Sequence, residues 1–217
     1  MFSLMHSVEV ANLALGRLGS FSITSLSENS AEARLCSNFF DSTRRSVMRE
    51  FPWNFATTWT TLSMIDGESG FGFNYAYQLP GDYLRALAFD GTAAGTKQNS
   101  WRQANGKIYS NQTNADSATL EYIRDVTDVT LWDDDFCVAF SYYLAAAIAP
   151  AMKQDPGVAL GLLQAGQKFL QDAKGTDTQE DALRVIKGTE LSPYQAARRG
   201  YSGANPNFLL ADWGPPQ

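Results

Sequence analysis

Chemistry has few places to happen in this sequence. A Ser-His-Asp or Cys-His nucleophilic site would have to use His6, the single histidine, which stands near the N-terminus with nothing to single it out. Zinc sites built from His and Cys run short of ligands, because Cys36 and Cys137 are the only thiols and lie far apart. Two buried thiols in a reducing compartment are preferred over a disulfide. No Gly-rich phosphate loop closes on Lys-Ser/Thr. The nearest stretch, Gly67-Glu68-Ser69-Gly70-Phe71-Gly72, lacks the pattern and reads as a flexible hairpin tip. The densest carboxylate group is Asp133-Asp134-Asp135, with Asp125 and Asp128 a few residues earlier. Such a run could ligate a metal or supply an acid–base pair. It also begins an apolar helix, where carboxylates satisfy free N–H groups and favour the positive end of the helix dipole, and that is the preferred reading. No catalytic residue, metal ligand or cofactor is assigned.

Binding offers more candidates. Arg44-Arg45 could face DNA, a partner carboxylate or a neighbouring subunit; the plainer alternative is the solvated face of a helix. Trp53, Phe55, Trp59, Tyr75 and Tyr77 could stack nucleic-acid bases, but no basic residues lie between them, so core and strand aromatics are expected. The chain carries 17 basic and 23 acidic residues, a formal charge of −6. That balance argues against binding nucleic acid chiefly by neutralising phosphates.

These residues must be held by recognisable elements. Leu4, Val8, Ala11, Leu15 and Leu18 recur at helical spacing before Gly19, with Asn12 and Arg17 off the stripe. A loop from Ser20 to Asn29 is pinned by Ile23 and Leu26. Ser30 caps a second helix whose buried stripe is Cys36, Phe40, Val47 and Phe51, with Arg44 and Arg45 on other faces, and Pro52 stops it. Strands are expected at Thr58–Met64, Tyr75–Leu79, Tyr83–Phe89, Ser100–Ala104, Lys107–Ser110 and Thr119–Val126, with a hairpin turn at Asn105-Gly106. Phe136 to Met152 has one polar side chain, Ser141, and no charge. At 17 residues it is at the short edge of a bilayer span and reads as a buried bundle helix. Asp155-Pro156 opens a fourth helix with the stripe Val158, Leu162, Ala165, Phe169 and Ala173, a weak point at Gly175, and a further piece at Gln179–Ile186. The N-terminus shows no basic region before an apolar run, so no signal peptide is expected.

The fold class expected is α+β: a mainly α-helical bundle from residues 1–52 and 129–187, with a β-rich insert at 53–128 projecting between the second and third long helices. Residues 188–217 lose all periodicity yet carry Tyr194, Arg198, Arg199, Tyr201, Phe208 and Trp213 among glycines and prolines. They read as an extended arm that docks on a partner, the alternative being a segment packed on its own domain.

Several stretches, taken together, carry a resemblance. They are 11–19 (Ala-Asn-Leu-Ala-Leu-Gly-Arg-Leu-Gly), Ile23-Thr24-Ser25-Leu26 with Ser30-Ala31-Glu32-Ala33, and Arg44-Arg45 leading to Phe51-Pro52-Trp53-Asn54-Phe55-Ala56. Tyr75-Ala76-Tyr77-Gln78-Leu79-Pro80-Gly81-Asp82, Tyr122-Ile123, Val126-Thr127-Asp128 and the alanine-rich helix follow. In this order and spacing the chain resembles the tail tubular protein A family, the head-to-tail adaptor of short-tailed bacteriophages, over about residues 8–173. The resemblance implies a virion protein, assembled in the host cytoplasm, forming a ring, usually of twelve copies, between the portal and the tail nozzle. It implies a role in seating tail fibres in some phages, and a channel that DNA traverses without specific binding and without a membrane. The arm would then grip the portal, and Arg44 and Arg45 become candidate subunit-interface residues. The competing expectations are another neck or tail-completion protein and a carboxylate-dependent hydrolase.

Overall fold

The computed structural model describes residues 6–94, 101–111, 118–153 and 155–189, with side chains to residue 178. The chain divides into Met1–Thr178 and Gln179–Gln217. Within the first unit, helices α1 (Ser7–Arg17) and α2 (Ala31–Met48) precede seven strands. These are β1 (Thr57–Leu62), β2 (Tyr75–Gln78), β3 (Tyr83–Phe89), β4 (Thr92–Ala93), β5 (Trp101–Ala104), β6 (Lys107–Ser110) and β7 (Ala118–Arg124). A 3-10 turn at Val129–Leu131 leads to α3 (Asp134–Lys153), and α4 runs as one helix over Pro156–Thr189. Gly175 therefore does not break it. The candidate arm residues Tyr194, Arg198, Arg199, Tyr201, Phe208 and Trp213 lie outside the described residues.

The expectation of a mainly helical bundle with a projecting insert does not hold. The fold is α+β, 47% helical and 23% strand, and two antiparallel sheets are integral to it. One sheet has the order β1-β7-β3-β4 and the other β2-β6-β5. The first sheet is a shared wall. Leu120 and Tyr122 of β7, with Ala86 and Phe89 of β3, enter a core with Tyr77 and Ile108 of the small sheet. Ile123 of β7 turns the other way, into the helical core, where Leu84 and Leu87 of β3 also pack. Alternation along a strand puts successive side chains on opposite faces, so both faces are buried where the helices cover the sheet.

The helical core is built around α3, which packs against both α1 and α2. Phe136, Phe140, Leu144 and Ile148 of α3 meet Val10 and Leu15 of α1 and Cys36, Phe40 and Val47 of α2. Rings of Phe40, Trp132, Phe136 and Phe140 stack or meet edge-on at 5.1–6.3 Å between centroids. By length and composition α3 could cross a membrane, and half of its apolar window is buried in the fold. Its one buried hydroxyl, Ser141, accepts from Arg17 Nε at 3.1 Å, and the Arg17 guanidinium lies 3.6 Å over the Tyr142 ring.

Local signals act as their chemistry requires. The Ser30 hydroxyl accepts from the Ala33 N–H, and the Asp155 carboxylate accepts from the Gly157 N–H at 2.8 Å. Asn105 and Gly106 take φ of +52° and +71° in the β5–β6 hairpin. Asn12, read as off the stripe, holds the α1–α2 loop through two bonds to the Ile23 backbone at 2.8 and 2.9 Å. The buried stripe of α4 matches the expected one in part: Ala173 faces inward and Leu162 packs on the core, but Gly166, Leu170 and Asp177 also face inward while Val158 and Phe169 are exposed. Gly166 sets this phase, because a Cβ there would stand 3.0 Å from Tyr142 Cβ and 3.2 Å from the Tyr143 ring.

Candidate functional site

The charged residues singled out in the sequence converge where the helices meet the large sheet. Arg44 is 2% exposed, on the inner stripe of α2 and not on its solvated face. Its guanidinium pairs with Asp125, just past β7, and with Asp41 one turn earlier at 3.2 Å. Arg45, 61% exposed, reaches the second Asp125 oxygen at 3.0 Å. One carboxylate thus joins two consecutive arginines of α2 to the end of β7. Arg85 of β3 adds bonds to the carbonyls of Arg49 and Glu50 at 2.8 and 3.3 Å, satisfying acceptors left free at the end of α2.

The same junction holds the aromatic block after Pro52. Trp53 is buried edge-on against Phe51 and Phe136, with centroids 5.0 and 5.1 Å away. Asn54 clamps α4: its N–H donates to the Asp177 carboxylate at 3.1 Å, and its side-chain amide to the Asp177 carbonyl at 3.2 Å. Lys174, one turn before, approaches Glu50 at 3.6 Å. Asp82 accepts from the Tyr122 hydroxyl at 3.0 Å, and burial followed by this bond raises the Tyr122 phenol to about 12. Sequence reasoning missed Asp177 and the inward Arg44. The signal for Arg44 was positional, since it falls four residues after Phe40 on the stripe of Ala33, Cys36 and Phe40.

The other candidates do not gather. His6 is exposed at the start of α1, where its backbone N–H donates to Glu9. Asp128 caps the 3-10 turn, accepting from the Thr130 hydroxyl and N–H at 2.7 and 3.0 Å, and those bonds hold its carboxyl below its usual value. With Asp125 engaged by arginines and Asp128 by Thr130, neither is left to join Asp133–Asp135. Asp134 and Asp135 occupy the first turn of α3. Among the described residues no three His, Cys, Asp or Glu side chains stand together as metal ligands. The glycine run at 67–72 does form a hairpin tip: Gly70 and Phe73 bridge around Phe71 and Gly72, both at positive φ, and Lys107 holds Glu68 at 2.6 Å. Cys36 and Cys137 are free and buried, and burial pushes their thiols to about 11 and about 12. Of the aromatic set, Trp53 and Tyr77 are core residues and Trp59 stands apart, 72% exposed, so no shared stacking platform forms.

Open surfaces remain among the described residues. A groove of about 570 Å³ runs between α2, α3 and α4, lined by Ser42, Ser46 and buried Val47, by Ala146 and Ala147, and by Leu160 and Leu163. No charged residue lines it, and Leu160 is 57% exposed. A smaller hollow of about 320 Å³ lies on the large sheet beside Trp59 and Glu121.

No protein-family model and no curated protein matches this chain.

Proposed function

We propose that this chain is a structural head-to-tail adaptor of a bacteriophage virion, forming a ring between the portal and the tail nozzle around the DNA channel. One observation carries the reading. The segments that resemble the tail tubular protein A family supply internal fastenings: Arg44 pairs with Asp125 beyond β7, Asn54 holds Asp177 of α4, and Asp82 accepts from Tyr122 beside the large sheet. Their chemistry is spent on holding shape, as a structural component needs. The uncharged groove suits an apolar helix from an adjoining copy, since its lining is apolar or small. The net charge of −6 suits a ring that DNA slides through. Residues 188–217, with Tyr194, Tyr201, Phe208, Trp213, Arg198 and Arg199, are the proposed arm onto the portal, because aromatics and arginines anchor interfaces. A ring usually of twelve copies and contacts to tail fibres complete the reading.

Titrating the purified chain with the portal protein of the same phage tests it. Light scattering should show the mass rise to that of a ring-bearing complex, and images should show the ring stacked on the portal. Failure to form any complex at micromolar concentrations overturns the adaptor reading. A particle bound elsewhere on the neck would assign it to a different neck component.

A further inference from the structure

Strand β1 forms one edge of the large sheet, and its sequence, Thr57-Thr58-Trp59-Thr60-Thr61-Leu62, contains no charge and no proline. Its register with β7 is unbroken from Thr57↔Ile123 to Leu62↔Ala118, with no bulge. Proteins ordinarily blunt such an edge with lysine, proline, a bulge or a covering segment, because free N–H and C=O groups invite another strand. Here the Thr57 N–H already donates to the Trp53 carbonyl and the Ser63 carbonyl accepts from Gln78, so the open stretch is 58–62. The opposite edge, β4, is two residues long.

The side chains beside this edge specify what would come. Trp59 stands directly opposite Glu121 in the register, on the face turned away from Leu120 and Tyr122. Glu121 is exposed, and no described residue hydrogen-bonds or ion-pairs with its carboxylate. Thr57, Ala88 and Thr119 complete the hollow around them.

We propose that β1 receives an extended segment of a partner protein as an added strand, presenting a lysine or arginine to Trp59 and Glu121. An indole face attracts a cation, and Glu121 supplies the counter-charge. A residue paired opposite Trp59 on an added strand has its Cβ about 4.5–5.5 Å away, so a long basic side chain can cross the indole toward Glu121. Backbone pairing supplies the affinity and the basic side chain the choice of partner. A second copy pairing through the same strand brings no cation, since β1 has none. Nucleic acid would set phosphate against Glu121. The proposal does not depend on the adaptor reading, and its test needs no portal.

The probe is a fluorescein-labelled peptide, Thr-Arg-Val-Arg-Thr-Arg-Val, titrated against the full chain by fluorescence anisotropy. Binding should weaken about fivefold or more with Glu121→Gln and with Trp59→Thr, and Trp59→Phe should keep most of it. A peptide with N-methyl groups on alternate backbone nitrogens should lose at least about tenfold, because it cannot pair with an edge. The proposal is overturned if a peptide with Glu in place of Arg binds equally well. It is equally overturned if Glu121→Gln stays within about twofold of the parent chain, or if N-methylation has no effect. Concentration-dependent self-association that Trp59→Thr abolishes and the arginine peptide fails to compete would assign the edge to a second copy instead. Both side chains are exposed, and melting curves check each variant's fold; should Trp59→Thr not fold, Glu121→Gln and the N-methylated peptide decide the outcome.

Discussion

At the scale of single residues, the Arg44–Asp125 pair is where the fold concentrates its electrostatic risk. Removing one member of a buried ion pair strands the other, which costs about 3–5 kcal/mol. Arg44→Ala should therefore lower the urea-unfolding free energy by about that much, slightly less because Arg45 still reaches Asp125. Arg45→Ala, losing a mostly exposed pair, should cost no more than about 1 kcal/mol. Equal small losses for both would show that the pair does not tie α2 to β7. The two thiols make a second prediction. Both have folded pKa values raised above the ordinary 9.0, to about 11 for Cys36 and about 12 for Cys137. Above pH 9 the unfolded chain releases these protons first, so stability present below pH 9 falls as pH climbs through 11 and 12. The denaturation midpoint should drop across that window, and a Cys36→Ala, Cys137→Ala chain should lose much of the dependence. At pH 7 neither thiol should react with a thiol reagent until the chain unfolds.

At the scale of elements, glycines in α4 behave oppositely according to what they face. Gly166→Ala pushes a methyl into Tyr142 and Tyr143, so the melting curve should report a loss of about 1–3 kcal/mol. Gly175 has nothing within 4 Å of an added Cβ, and Gly175→Ala should add up to about 1 kcal/mol by favouring the helix. A gain at Gly166 would mean that the α3–α4 crossing yields more than its close contacts suggest. Much of this layer was legible in the sequence. Tyr83–Phe89 and Lys107–Ser110 were read to the residue, because turn signals bound them: Pro80-Gly81-Asp82 and Asp90-Gly91 around the first, Asn105-Gly106 before the second. Two-residue β4 carries too little sequence to announce itself. The phase of α4 was partly misread because its closest contact is made by a missing side chain, which hydrophobic periodicity does not register. Arg44 was misread because its charge outweighed its place on the stripe. Of the open surfaces, exposed Trp59 stood in the expected β1, but its pairing with Glu121 depends on a register joining residues 62 apart (121 − 59).

At the scale of the whole molecule, the proposed adaptor role can be tested piece by piece, at the groove and at the C-terminal segment. Leu160→Asp places a charge at the rim of an uncharged groove on a side chain that is already mostly exposed. The melting temperature should barely move, while ring formation on the portal should be lost. Deleting residues 190–217 should weaken portal binding and leave the first unit folded, seen as unchanged circular dichroism. If Leu160→Asp rings still form normally, the groove is not the contact between copies.

The shared wall also governs how the chain can come into being. The helical core gathers around Phe136, Phe140 and Leu144, and β1 finds its only described partner strand in β7, with Thr57 opposite Ile123. The sheet core can close once β7 has emerged, but the helical core cannot close until the ribosome has delivered the chain past α3. Until then α1 and α2 leave the exit tunnel with their apolar faces bare. Contacts of long sequence separation slow folding relative to a purely helical bundle, because loop closure must precede them. During that interval the nascent chain is a natural client for chaperones, and overproduction would be limited by misassembly of the first half and not by the stability of the finished fold.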